Sequence, residues 1–389
     1  MKRLVHLGPG AFFKAHLAAY MQDAADAGDP WDVVAISLRS PRAKNEFQGA
    51  YTLLERSEAG TKARRIDVVR QVLHLTSDRD AVMAALAAPE TRIVSLTVTE
   101  KAYAKGGTDS APGLLANALD RRRRAGLAPF TCLSCDNLPS NGAVLRRLLG
   151  EVDDVSFPST MVDRITPART AATIAEGGPA AEECEAFRQW VIEDDFPQGR
   201  PAWEAGGAQF VPDVTPYEKM KLRMLNGAHS MIAYAGFVRG LRTVGEAMAD
   251  AEMARRVREH MAAAAATLDP IPGTDFAAYG SALETRFRNP HLAHETYQIA
   301  MDGSQKMPQR IFAPALDALR RGQDLAPFAF ATAAWLVYLR GPHDLRDPRS
   351  PELSPPTLDH IFALPDLVPA ALGQNPRWRR SVQRALEAF

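Results

Sequence analysis

The stretch KLRMLNGAH sets an amine (Lys221), a carboxamide (Asn226) and an imidazole (His229) five and then three residues apart in an otherwise apolar run. Hydride transfer between a secondary alcohol and a nicotinamide needs a group that takes or returns the hydroxyl proton. It also needs donors that stabilise the negative charge growing on the oxygen. An amine serves the first need, provided burial or nearby cations depress its ordinary pKa of about 10.4. A carboxamide and an imidazole serve the second, and neither step requires a metal. If residues 217–235 form a helix, then at about 100° per residue Asn226 lies roughly 140° and His229 roughly 80° around from Lys221. One broad face then holds all three, and their polar tips can converge on one substrate atom. The same spacing also fits a helix whose Lys221 and Arg223 are wet and whose His229 is a satisfied core residue. Spacing alone does not separate the two.

A nicotinamide needs a dinucleotide site, and the N-terminal residues offer one. RLVHL (residues 3–7) reads as a short apolar strand running into GPGAFF, and KAHLAAYMQDAADAG has helical spacing with Gly28 as its stop. In this strand, turn and helix, Gly8 and Gly10 occupy the first two positions of G-x-G-x-x-G, and Phe13 stands at its third glycine. Such a turn lets backbone approach a pyrophosphate, and a helix start presents free N–H groups to it. Lys14 can add a counter-charge. The segment after the second apolar strand, Ser37-Leu38-Arg39-Ser40, has no acid for a ribose hydroxyl. Arg39 and Arg42 suit a 2′-phosphate instead, which leaves NAD and NADP both open.

WDVVAISLRS, VVRQVLHL, TRIVSLTVT and FTCLSCDNL repeat the apolar, β-branched pattern of strand one, with helix-like GLLANALDRRRRAG among them. Alternating strands and helices predict a Rossmann-like, doubly wound parallel sheet. After about residue 165 alanine-rich helical stretches and proline-rich loops predominate, so the remainder reads as mainly α. With 389 residues the chain has room for two cores. The density of Pro and Gly in DDFPQGRPAWEAGG puts the boundary near residue 195, giving domains 1–194 and 195–389.

The 46 basic and 46 acidic residues cancel, so no net field recruits nucleic acid or an anionic membrane, and a small molecule is the expected partner. No apolar run of 18 residues occurs, and the expectation is a cytoplasmic protein, monomeric or a small homo-oligomer. The run Arg121 to Arg124 reads as the wet end of an amphipathic helix. Cys132 and Cys135 form a C-x-x-C without the further ligands that zinc requires. They read as small half-buried residues at a strand end, with a redox pair as the other reading.

Seven segments in this order, GPGAFFKAH, SLRSP, TVTEKAY, SCDNLPSNG, MVDRITPA, PYEKMKLRMLNGAHS and AMDGSQKMPQR, closely resemble the polyol-specific long-chain dehydrogenase family, also called the mannitol dehydrogenase family. The resemblance covers nearly the whole chain. It implies that Lys221 is the general acid/base, that Asn226 and His229 polarise the reacting oxygen, and that Glu218 passes protons to solvent. It implies cofactor binding by Gly8, Gly10 and Phe12, with Lys14 replacing a usual arginine. One of Asn137 and Asn141 is implied in the substrate site, along with Asp163 and Lys306. SLRSP, NGAHS and IAMDGSQKMPQR look closest to the mannonate oxidoreductase (fructuronate reductase) branch. Mannitol-type members carry arginine where this chain has Gln298, and Gln298 with Lys306 suits a carboxylate. The expected activity is therefore NAD(P)-dependent interconversion of a sugar acid or polyol and its keto form, with D-mannonate and D-fructuronate foremost. A mannitol- or arabinitol-type polyol dehydrogenase and a non-catalytic dinucleotide sensor are the alternatives. The chain is shorter than the members it resembles, so reaction type transfers more safely than substrate.

Overall fold

A computed structural model describes residues 1–41, 47, 49–98, 107–150, 152, 154–289 and 294–389. Arg42 and most of TVTEKAY lie outside the described residues. The chain forms two compact units, Met1–Thr215 and Pro216–Phe389.

The first unit is built on five parallel strands. They are β1 (Arg3–Leu7), β2 (Asp32–Ser37), β5 (Val69–His74), β6 (Thr91–Leu96) and β7 (Thr131–Ser134), arranged β5-β2-β1-β6-β7. Val33 and Ala35 of β2 enter one apolar cluster, while Val34 and Ile36 enter the other. Burial on both faces is why these strands are continuous apolar runs rather than alternating ones. The helix Leu17–Asp26 covers one face; Arg79–Ala87 and Ala111–Arg124 cover the other. Counted within this sheet the order is 3-2-1-4-5, the Rossmann arrangement, as expected, and the strand order reverses between β1 and β6.

Two three-stranded sheets complete the unit, and the sequence pattern did not separate them. A hairpin, β3 (Tyr51–Ser57) with β4 (Gly60–Ile66), takes β9 (Glu182–Glu185) as a parallel neighbour. β8 (Thr160–Asp163) pairs antiparallel with β10 (Gln189–Glu193), which pairs parallel with β11 (Gln209–Val211). The boundary expected near residue 195 therefore falls inside the first unit. Trp203 is fully buried against Trp190, ring centroids 4.7 Å apart, and its Nε1 donates to Met21 Sδ. Apolar packing holds this Pro/Gly-rich stretch where composition suggested a linker.

The arginine run also differs from its expectation. Arg122 is buried, its guanidinium donating to the carbonyls of Ala88 and Ala128. It closes the carbonyl ends of two neighbouring segments while Arg121, Arg123 and Arg124 stay wet or pair with Asn117 and Asp120. Cys132 and Cys135 are fully rather than half buried, both as free thiols, and burial pushes both well above the ordinary thiol range. Neither has the lowered pKa of a reactive thiol.

The second unit is helical. The helices Gly227–Val238 and Ala326–Arg340 pack against each other, and Ala251–Ala266, Thr296–Ala300 and Pro376–Leu386 surround them. Ten residues in succession, Gly227 to Gly236, are buried. That helix is covered all round and carries no polar stripe to mark a face. Among the described residues no helix is long and apolar enough to cross a membrane.

Several histidines are enclosed by these cores. Burial lowers His6 and His16 in the first unit to about 3 and His260 in the second to about 4. The unfolded chain takes up these protons near pH 6.5, whereas the folded chain resists until pH 3–4. Stability is therefore full above pH 6.5 and falls as the pH drops. Each buried histidine contributes a slope of up to about 1.4 kcal/mol per pH unit. Denaturant melts of the two units should show midpoints dropping steadily between pH 6.5 and 4.5; flat midpoints over that range would contradict neutral burial.

Candidate active site

In the first unit the site begins at the glycine turn. Gly8 has φ +92°, and a Cβ there would collide with the carbonyl oxygen of Thr97 just beyond β6. Only glycine lets the end of β1 lie this close to the end of β6, at the reversal of strand order where open α/β sheets bind their ligands. A side-chain chain fixes the turn: Ser95 Oγ lies 2.9 Å from His6 Nδ1, His6 Nε2 lies 3.0 Å from Thr97 Oγ1, and Thr97 Oγ1 donates to Gly8 O. The consistent assignment is a neutral His6 carrying its proton on Nε2, matching its lowered pKa. Phe13 stacks on the imidazole at 4.0 Å. Phe12 is half-buried against His16.

Lys14 is not a free counter-charge. Its ammonium is buried and donates to Ala180 O and to Glu182 Oε1 at 3.0 Å, so it ties the helix Ala11–Ala15 to the β9 sheet. Arg39 is exposed just past β2. The two asparagines of SCDNLPSNG separate clearly. Asn141 is fully buried and spends its amide on Asp136 O and Thr160 O while its oxygen accepts from Thr160 N. Asn137 is exposed. Asp163 is buried at the end of β8, within the electrostatic reach of His16.

In the second unit the helix through KLRMLNGAH is not a straight α-helix. Thr215–Met220 is α, Lys221–Asn226 is a π turn, and Gly227–Val238 is α again. The Gly227 N–H reaches Leu222 O, five residues back. The larger ring changes the angular offset of every later residue, so the 140° and 80° of a regular helix do not apply. Gly227 makes the packing possible, because a Cβ there would lie 2.7 Å from His260 Nε2 and 3.1 Å from Arg310 O. Arg310 belongs to a second π turn, Pro308–Phe312, that packs on the first. Arg223 fastens the turn from the other side, donating to Thr267 Oγ1 at 2.7 Å and to Asp317 Oδ2 at 2.6 Å. It is buried, not wet.

Lys221 and His229 are buried; Asn226 and Glu218 are half-buried. The His229 ring lies 4.6 Å from Phe287 and stands perpendicular to His294 at 5.6 Å. Burial, reinforced by the positive fields of His294, Arg286, Arg310 and Lys221, holds its pKa well below the ordinary value. A neutral imidazole donates through one nitrogen and can polarise an oxygen without giving up a proton. Lys306 is half-buried, donates to Ile299 O and Met301 O, and is lowered by burial and by Arg310. Gln298 is exposed on the helix Thr296–Ala300. Arg310 donates to Ser230 Oγ at 3.2 Å. Among the described residues no group of three His, Cys, Asp or Glu side chains could hold a metal ion.

A Rossmann unit with a close-approach glycine turn, followed by a helical unit bearing amine, carboxamide and neutral imidazole, defines a nicotinamide-type alcohol oxidoreductase. Residues 2–205 match the mannitol dehydrogenase Rossmann domain and residues 213–359 the mannitol dehydrogenase C-terminal domain. The chain belongs to the mannitol dehydrogenase family, oxidoreductases that act on secondary alcohols. It is 39% identical to D-mannonate oxidoreductase of Escherichia coli strain K12, over 87% of this chain and 80% of that one. It is 36% identical to mannitol 2-dehydrogenase of Cereibacter sphaeroides, over 88% and 81% respectively. The Pseudomonas fluorescens mannitol 2-dehydrogenase structure, a ternary complex with NAD and D-mannitol, superposes with a TM-score of 0.82 at 32% identity. That match covers all of this chain and 91% of the other.

Sequence reading did not single out His260, His294, Ser230 or Arg310, and it named Arg223 only as a wet residue of the alternative helix. Arg223 and Arg310 stood inside quoted motifs, but nothing in a linear pattern tells a buried guanidinium from a wet one. Two substitutions test the geometry. Gly8→Ala should weaken NADH binding by roughly tenfold or more, because a Cβ at positive φ costs about 1–2 kcal/mol before any clash; unchanged binding would show that the turn tolerates it. Arg223→Met should destabilise the second unit by roughly 2 kcal/mol through the loss of its ion pair and hydrogen bonds. The same variant should lower kcat while sparing NADH affinity, readable by melting and steady-state kinetics.

Proposed function

We propose that the protein interconverts D-mannonate and D-fructuronate using NAD. The observation that carries the reading is the buried amine of Lys221, first residue of a π turn that Arg223 and Gly227 hold in place, followed on the same helix by a neutral His229. Identity to D-mannonate oxidoreductase supports the sugar acid, and the NAD complex of the Pseudomonas fluorescens mannitol 2-dehydrogenase supports the cofactor. Gly8, Gly10 and Phe12 would hold the dinucleotide, which would supply the hydride acceptor or donor when bound. Lys221 takes the hydroxyl proton during oxidation and returns it during reduction. Asn226 and His229 donate hydrogen bonds to the oxygen as its charge grows, the step at which preorganised donors matter most. Glu218, one turn before the lysine, passes the proton onward.

Asn137, which is exposed, is the SCDNLPSNG asparagine assigned to the substrate, since Asn141 is buried and bonded to the backbone. Asp163, Lys306 and Gln298 are the further substrate-binding candidates, and Arg39 is the cofactor-binding candidate that would suit a 2′-phosphate. The mannitol 2-dehydrogenase relatives favour a polyol as the second reading. Following nicotinamide absorbance with fructuronate, tagaturonate, fructose and xylulose, each with NADH and NADPH, decides between them: the fastest turnover should come from fructuronate with NADH. Oxidation of neither cofactor by any sugar would favour a non-catalytic sensor. Lys221→Ala should cut kcat by on the order of 10²–10⁴ and leave NADH binding nearly intact. Wild-type turnover in that variant would remove the proton-transfer role.

A further inference from the structure

Several buried guanidinium groups among the described residues are held by a carboxylate or by two or more oxygens. Arg164 holds Glu55 and two carbonyls, Arg122 holds carbonyls of two segments, and Arg223 holds Asp317 and Thr267. Arg310 differs. Among the described residues its one hydrogen bond is to the neutral hydroxyl of Ser230, and no carboxylate pairs with it. Four of its five N–H donors have no partner among the described residues. The side chain is half-buried and none of its nitrogens is both enclosed and unpartnered, so these donors stay open to a visiting anion.

Its surroundings sharpen the point. Ser230 directly follows His229, so the guanidinium sits at the same helix turn as the imidazole. Lys306 lies one turn before Arg310 and within its field, and Arg310, Arg286 and Lys221 act together on His229. Two acids, Asp302 and Asp347, act on Lys306, and Asp347 is already engaged by Ser304 N and Oγ and by Arg349 N. This is a local excess of positive charge in a chain whose charges otherwise cancel. The residues expected to meet a carboxylate are less suited to it: Lys306 spends two donors on backbone carbonyls, and Gln298 is exposed and uncharged.

We infer that Arg310 is the anchor for the substrate's carboxylate, its planar fork donating to the two oxygens while Lys306 adds charge, so that it selects sugar acids over polyols of the same length. The inference rests on the sugar-acid reading above for its substrate, but the anion subsite stands apart from it. A phosphate of the cofactor is the other anion that could seat there, and kinetics distinguish the two.

The test compares wild type with Arg310→Met and Arg310→Lys. The KM for fructuronate should rise on the order of 10- to 100-fold in Arg310→Met, the loss of hydrogen bonds to a charged group. It should rise far more than the KM for fructose, with the KM for NADH little changed. Arg310→Lys, which keeps the charge but not the fork, should recover only part of the loss and guards against misfolding of the methionine variant. D-Gluconate should compete with whichever ketose is reduced, and its Ki should rise in parallel. Equal KM changes for fructuronate and fructose, a rise confined to NADH, or no inhibition of wild type by gluconate would each overturn the subsite. Gluconate inhibition that depends on Arg310, with no turnover of fructuronate, would instead sink the mannonate assignment and leave the anchor standing.

Discussion

A π turn contains one residue more than the α-helix around it and persists only where its neighbours make the regular alternative worse. Here the neighbours are identifiable. Arg223 at the centre of the turn is fixed by Thr267 and Asp317, on segments distant in sequence. Gly227 at its end admits His260 and the backbone of Arg310 at a separation no side chain would permit. A second π turn packs against the first, so two irregular segments brace each other. The result is that Lys221, Asn226 and His229 leave the helix at angles a regular helix would not give them. Chemistry that needs an amine and two hydrogen-bond donors at one oxygen depends on this single irregularity.

The same enclosure sets the protonation states. His229 is buried, and the charges that act on it are positive. Both effects disfavour imidazolium, which suits the ring to the donor role proposed for it and leaves proton transfer to the proposed Lys221 amine. The first unit follows a parallel logic with different parts. There neutral His6 joins Ser95 to Thr97, and Thr97 in turn holds the carbonyl of Gly8. A buried histidine steadies the glycine turn in one unit, and a buried arginine steadies the lysine turn in the other.

Much of this was legible in the residues. The parallel sheet followed from apolar runs without alternation and the glycine turn from its place after the first strand, while residue type and spacing marked Lys221, Asn226 and His229 only as candidates. The π turn was not legible, because Lys221–Asn226 is made of ordinary helix-forming residues and the helix that follows is buried from Gly227 to Gly236, with no wet face whose phase could reveal the extra residue. Pairing was equally hidden. Lys14 reads as a cation at a phosphate turn until Glu182, far along the chain, is seen to neutralise it. Arg122 reads as one wet arginine of four until the carbonyls that surround it are known. Asn137 and Asn141 are interchangeable in sequence, yet the backbone of Thr160 claims one of them completely. Composition misplaced the boundary because proline and glycine near residue 195 bracket Trp203, a core residue.

The account turns on whether the proton passes through the Lys221 amine. Chemical rescue of Lys221→Ala by added primary amines addresses that directly. Turnover should rise with amine concentration, and among amines of similar size it should climb with their basicity, as expected when the amine shares the proton in the transition state. Full turnover without any amine, or a low rate that no amine raises while small alcohols and salts do equally well, would contradict it.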